Sequence, residues 1–168
     1  MTDGPDGPVP VVHPSAFVAP GAVVRGRVTL SEGAVVMFGA VLRAEYDEIV
    51  VGRWSNVQDN CVVHSDAGLP AVIGDRVTVG HGAVVHGAEI GNRCLVGIGS
   101  MALNGSRLGE GAWLAAGSVL AEHKVIPPWT LAVGIPAKPV RELRPEEVER
   151  QASGVDDYQA IAERYRGA

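Results

Sequence analysis

At 168 residues the chain is long enough for one domain with a real core, and a formal net charge of −5 gives it no basic surface for nucleic acid or anionic lipid. Two cysteines cannot build a disulfide framework or a zinc knuckle, and the longest apolar runs fall well short of the roughly 18 residues a membrane span needs. The composition therefore points to a soluble cytoplasmic protein with no nucleic-acid or membrane partner, and 22 glycines against eight aromatic residues ask for many tight turns and few bulky core fillers.

In chain order, residues 1–10 are rich in Gly, Pro and Asp without a hydrophobic signal core, and read as a flexible tail. From there an aliphatic residue returns every six positions, at Val18, Val24, Leu30, Val36 and Leu42. Four places after four of these stand Ala22, Val28, Ala34 and Ala40. After an interruption the rhythm resumes at Val84, Ile90, Val96, Ala102, Leu108, Leu114 and Leu120, again with mostly small residues four places on.

A period of six fits neither an amphipathic helix nor a long alternating strand, but suits a short flat strand followed by a turn, wound into a solenoid. Three such units close a triangular coil, with the aliphatic residue pointing inward and the small residue fitting at the bend. Residues 11–140 are thus expected to form a mainly β, parallel β-helix of about six triangular coils. Cys61 and Cys94 fall on the small-residue position and read as buried structural thiols.

Residues 141–168 form a helical tail packed along the prism. Pro145 suits a first turn beside Glu146 and Glu147, and Tyr158, Ile161, Ala162 and Tyr165 make one apolar stripe. Ser153-Gly154-Val155 is expected to break this helix in two.

The register fails in two places, each beside a histidine. Units begin at Val57, Val63, Ile73, Val79 and Val84, so the step from 63 to 73 is too long and that from 79 to 84 too short. The surplus, Ser65 to Pro70, is polar and contains Gly and Pro, as expected of a loop ejected after His64.

His64, His81 and His86 fall within 23 positions, two of them in the phrases VGHG and VVHG. A lone histidine would be an ordinary surface residue, but three at this spacing read as metal ligands. Neutral imidazole binds zinc well, and three protein nitrogens leave the fourth position open, as in catalytic sites. Counting units puts His64 and His86 on one wall in adjacent coils and His81 on another. A neighbour related by a threefold axis could supply its own His81, which makes a homotrimer with interfacial sites the economical solution.

The stretches VLRAEYDEIVVGRWSNVQDNCVVH, VTVGHGAVVHGAEIGNRCLVGIGS and LAVGIPAKPVREL together resemble the gamma-class carbonic anhydrases, within the hexapeptide-repeat, left-handed β-helix superfamily. The resemblance covers nearly the whole chain after the tail, and the handedness is taken from it. It implies a metal, zinc first with iron(II) or cobalt(II) as alternatives, held by His64 and His86 of one chain and His81 of the next. It also implies reversible hydration of carbon dioxide to bicarbonate by a metal-bound hydroxide. Arg43 resembles the family arginine near the bicarbonate site, Gln58 the glutamine beside the metal-bound water, and Asp59 an acidic residue of the subunit interface. Tyr158 resembles a tyrosine that the C-terminal helix of short members brings near the site. Pairing alone would also account for Arg43 and Asp59, and packing for Tyr158.

Two departures stand out. Glu45 replaces the aspartate usual two places after the arginine, and the loop SDAGLP offers only Asp66 where active members carry an acidic proton-shuttle loop. Slow turnover is therefore expected, since a proton must leave after water ionises. Two rivals share the solenoid: an acyl-CoA transferase or thioesterase, which would use one histidine as a base, and a metal-binding but catalytically silent assembly subunit.

Overall fold

The computed structural model describes residues 8–166, so the expected tail lies outside the described residues up to residue 7. Short parallel strands stack into three walls. One wall runs from the first half of Val23–Leu30 through the first half of Val41–Val51 to Val62–His64, Val84–His86, Met101–Ala102 and Val119–Leu120. The second begins at Val11–Val12 and ends at Val125–Ile126. The third runs from Phe17–Val18 to Thr130–Gly134, where Ala137–Glu142 adds one antiparallel strand.

The result is a mainly β parallel solenoid of about seven turns rather than six. The extra turn arises because Val11–Val12 pairs with Thr29–Leu30 before the sixfold recurrence becomes visible at Val18. Leu30, Leu42, Ile73, Ile90, Leu108, Leu114, Leu120 and Ile126 are fully buried along the axis, and Ala34, Ala40, Ala83, Ala88, Ala112 and the two cysteines fill the bends. Stacking each inward residue on its counterpart one coil away gives a continuous apolar column, the largest stabilising term available to a solenoid.

The inward residue of one unit differs from expectation. Val85, not Val84, is fully buried, and it pairs with Val63. With two adjacent valines the sequence rhythm could not choose between them; the backbone pairing does. The short step is therefore from Val85 to Ile90. A second excursion sits between Leu42 and Val51, where Glu45, Tyr46 and Asp47 leave the coil.

The helix is one continuous element, Pro145–Arg166, and is not broken at Ser153-Gly154-Val155. Gly154 is flanked by two anchors that outweigh its poor propensity. Val155 is fully buried, and the Gln151 amide donates to the carbonyls of Arg76 (3.0 Å) and Cys94 (3.1 Å). Further along, Tyr158, Ile161 and Ala162 pack on Phe17, Ala19, Val35 and Met37 of the third wall. At the helix start Glu147 accepts from Arg141 (2.8 Å to each oxygen) and from the Arg144 backbone (2.8 Å), fixing the junction with the last strand. Among the described residues no helix is long and apolar enough to cross a membrane.

Candidate metal centre

His64 and His86 each follow an inward valine by one residue, and they face each other across adjacent strands in direct register. Nδ1 of His64 lies 3.0 Å from Nε2 of His86. Their outer nitrogens are already engaged. Nε2 of His64 is 3.3 Å from Oε2 of Glu45, and Nδ1 of His86 is 2.8 Å from Oδ1 of Asn104.

The partners favour one pair of tautomers. A carboxylate can only accept, so His64 carries its proton on Nε2. Asn104 donates its amide to Asp66 (2.8 Å), so its free oxygen accepts the proton of His86 Nδ1. In those tautomers two ring nitrogens face each other at 3.0 Å with their lone pairs free, an arrangement that a bound cation would relieve. Two ligands about 2.0–2.1 Å from a tetrahedral ion stand about 3.3 Å apart, so the donor pair suits a divalent metal. Outer partners that fix the ring and tautomer are a regular part of histidine metal sites.

Glu45 owes its position to the excursion after Leu42. Burial acts to raise its carboxyl, but hydrogen bonds from Arg43 and His64 and the Arg43 charge hold it below its ordinary value. Arg43 donates to Oε1 at 2.6 Å while Oε2 faces His64. The longer glutamate side chain thus touches both. Arg43 itself lies in register with His64, one coil away. Tyr46, on the same excursion, sets its ring edge against His64 at 6.4 Å between centroids.

The other predicted residues gather elsewhere. His81 sits at the corner of the third wall, with Nδ1 2.9 Å from Asp59 and Nε2 3.2 Å from the Tyr158 hydroxyl. Its backbone N–H donates to Gln58 Oε1 at 3.1 Å. Gln58 in turn donates to Asn56, which donates to Thr78. Burial first, and then the Asp59 charge, push the Tyr158 phenol above its ordinary value, so it is a neutral donor toward His81. The predicted residues therefore divide into two groups within one chain: Arg43, Glu45, His64 and His86, and separately Gln58, Asp59, His81 and Tyr158.

Asn104 and Tyr46 were not singled out from the sequence. For Asn104 a signal existed: it lies 18 residues after His86, one full coil, and so stacks beneath it. Gly87 helps, because a side chain there would collide with the Asn104 amide.

No family model matches the sequence. The Methanocaldococcus jannaschii protein named "Probable carbonic anhydrase" is 41% identical over 139 residues, covering 83% of this chain and 87% of that protein. "Gamma carbonic anhydrase 2, mitochondrial" of Arabidopsis thaliana is 38% identical over 160 residues, covering 92% of this chain; the match spans 58% of the plant protein. The Escherichia coli "Carnitine operon protein CaiE" is 34% identical over 159 residues, 95% of this chain and 81% of the relative. Among solved structures, a hexapeptide transferase family protein from Anaplasma phagocytophilum superposes with a TM-score of 0.89 at 37% identity, covering 93% of this chain and 92% of the other.

Proposed function

This chain belongs to the gamma-class carbonic anhydrase family, and from that membership we propose that it hydrates carbon dioxide reversibly to bicarbonate in a homotrimer. The observation that carries the reading is the pair of imidazole nitrogens 3.0 Å apart with both outer nitrogens already engaged. His64 and His86 of one subunit and His81 of a neighbour would hold a divalent ion. Zinc is the first candidate, with iron(II) and cobalt(II) equally compatible with imidazole donors. When bound there, such an ion supplies the Lewis acidity that ionises water near neutral pH.

The chain's own residues do the rest. Glu45 and Asn104 hold the two imidazoles in the ligating tautomers. Asp59 does the same for His81, leaving Nε2 outward, where Tyr158 occupies it until a neighbour's ion competes. Arg43 offers a guanidinium about half exposed, one coil from His64, that attracts the anionic product. The amide of Gln58, anchored through Asn56 and Thr78, is a fixed polar group beside His81 that can orient substrate when the subunits meet.

The trimer is supported by one file of outward residues on the first wall. Val23, Val41, Val62, Val84, Met101 and Val119 lie in register along its height, and none is charged. Val23, Val62 and Met101 are exposed, and the file runs beside the two histidines. An apolar strip of this kind suits burial against a second copy.

The test is elemental analysis and mass in solution of protein purified without chelator, followed by carbon dioxide hydration in stopped flow. About one ion per chain in a trimer, with metal and activity both lost in His64→Ala, is the expected result. An active monomer, or activity without metal, would sink the reading.

A second reading, acyl transfer from a thioester, is favoured by the transferase-family relative and by a groove of about 480 Å³ beside Gln58, floored by Leu95, Trp113 and Leu131. His81, next in the chain to Gly80 of the groove lining and paired with Asp59, would act as the base. Acyl transfer that survives His64→Ala would select it.

A further inference from the structure

The loop after His64 does more than interrupt the coil. Asp66 projects its carboxylate toward both histidines, with Oδ1 4.0 Å from Nδ1 of His64 and Oδ2 4.0 Å from Nδ1 of His86. One potential ligand atom from each of His64, Asp66 and His86 can be chosen so that all lie within 4.8 Å of one another. Among the described residues no arginine or lysine pairs with Asp66; its side-chain partner is the Asn104 amide.

We infer that Asp66 is a same-chain metal ligand, so that His64, His86 and Asp66 form a two-histidine, one-carboxylate site that takes a divalent cation before any neighbour contributes His81. The inference rests on reading the histidine pair as a metal site, and adds a ligand and an order of events to it.

The loop is built to hold this carboxylate. The Asp66 and Leu69 backbones bond each other reciprocally (3.2 and 2.9 Å), closing a tight hairpin. Ser65 Oγ donates to the Asp47 carbonyl (2.8 Å), and the Gly68 N–H donates to the Asp47 side chain (3.1 Å). Asn104 supplies the remaining tie, and the same amide orients His86. One asparagine thus positions two members of the set at once.

Charge supports the same assignment. The Asp66 carboxylate faces ring nitrogens of both histidines with no arginine or lysine paired to it among the described residues, so the cluster lacks a cationic partner. A divalent ion held there would offset the carboxylate charge and draw on both rings together. Asp66 Oδ1 stands 4.0 Å from Nδ1 of His64, so a ligand separation of about 3.3 Å there needs a closure of about 0.7 Å, within reach of a side-chain rotation. Two histidines and one carboxylate leave open positions on the ion. A neighbour's His81 would take one of them on assembly, releasing its hydrogen bond with Tyr158.

The experiment titrates Zn²⁺ and Co²⁺ into four proteins by equilibrium dialysis with metal analysis: wild type, Asp66→Asn, His81→Ala and the double variant. Asn at 66 keeps an oxygen for the Asn104 amide, so the loop is retained, and thermal melts check folding. His81→Ala is expected to bind about one ion per chain, more weakly than wild type, and adding Asp66→Asn should weaken it further by at least about tenfold. Equal affinity of His81→Ala and the double variant would overturn the inference, as would wild-type binding that vanishes in His81→Ala. Absence of binding in the wild type would instead remove the metal reading on which it stands.

Discussion

In the proposed site His86 ligates through Nε2, which requires its proton on Nδ1, and Asn104 accepts that proton. Asn104→Ala leaves the ring free to rotate and to change tautomer, so metal affinity should fall about 10- to 100-fold with little change in stability. Isothermal titration with zinc checks this. The cysteines make the opposite kind of prediction. Burial pushes the thiols of Cys61 and Cys94 up to about 11 and about 12, and each bonds a backbone carbonyl at 3.0 Å. Neither should react with iodoacetamide near neutral pH until the protein is denatured, when mass spectrometry should find both labelled.

The residue scale also marks what could be read beforehand. His64 and His86 were legible because unit counting places them on one wall, and the separation of His81 was legible for the same reason. Val85 was not, because two neighbouring valines satisfy the same pattern and only strand pairing distinguishes them. Asn104 escaped because its signal is positional, one full coil after His86, and carries no compositional mark of the kind ligands have.

At the scale of the element, the helix illustrates tertiary contacts overriding local preference. Ser153-Gly154 reads as a break, yet Gln151 and Val155 anchor the chain on both sides of it. A side chain at 154 would meet open space, so Gly154→Ala should stabilise by about 0.5–1 kcal/mol, seen as a higher melting midpoint. The ion cluster at the helix start sets an acid limit. Hydrogen bonds from Arg141 and then Arg144 hold the Glu147 carboxyl well below its ordinary range. The charged form is thus favoured by the fold: its contribution is complete above the unfolded value of about 4.3 and drains away as pH falls below it. Glu147→Gln should melt lower than wild type at pH 7, and the gap should narrow steadily toward pH 3. Loops and excursions were the least legible elements. The departure after Leu42 left only a gap in the rhythm, and nothing in that gap announced that Glu45 would reach back to His64.

At the scale of the whole molecule, the uncharged file along the first wall is the surface on which the proposed assembly depends. A carboxylate placed in it, as in Met101→Glu, should leave circular dichroism unchanged while converting the proposed trimer to monomers by light scattering. An unaltered trimer would move the interface elsewhere. Turnover belongs to this scale as well. Asp66, the one acid of its loop, is tied to Asn104 and is not a mobile carrier, so proton export should limit the rate. Raising imidazole buffer concentration should then accelerate hydration at fixed pH, a dependence absent if carbon dioxide binding limits.

Among the described residues Ala137–Glu142 is the one strand that runs against the rest, and it closes the third wall at its far end. Every other rung is parallel, so a stack of copies laid end to end could in principle continue the ladder indefinitely, as in a fibril. The reversed strand spoils that continuation. A second copy arriving in register would find two walls offering parallel edges and one offering an antiparallel edge, and no single placement satisfies all three. A single turned-back segment thus sets the length of the column at one chain.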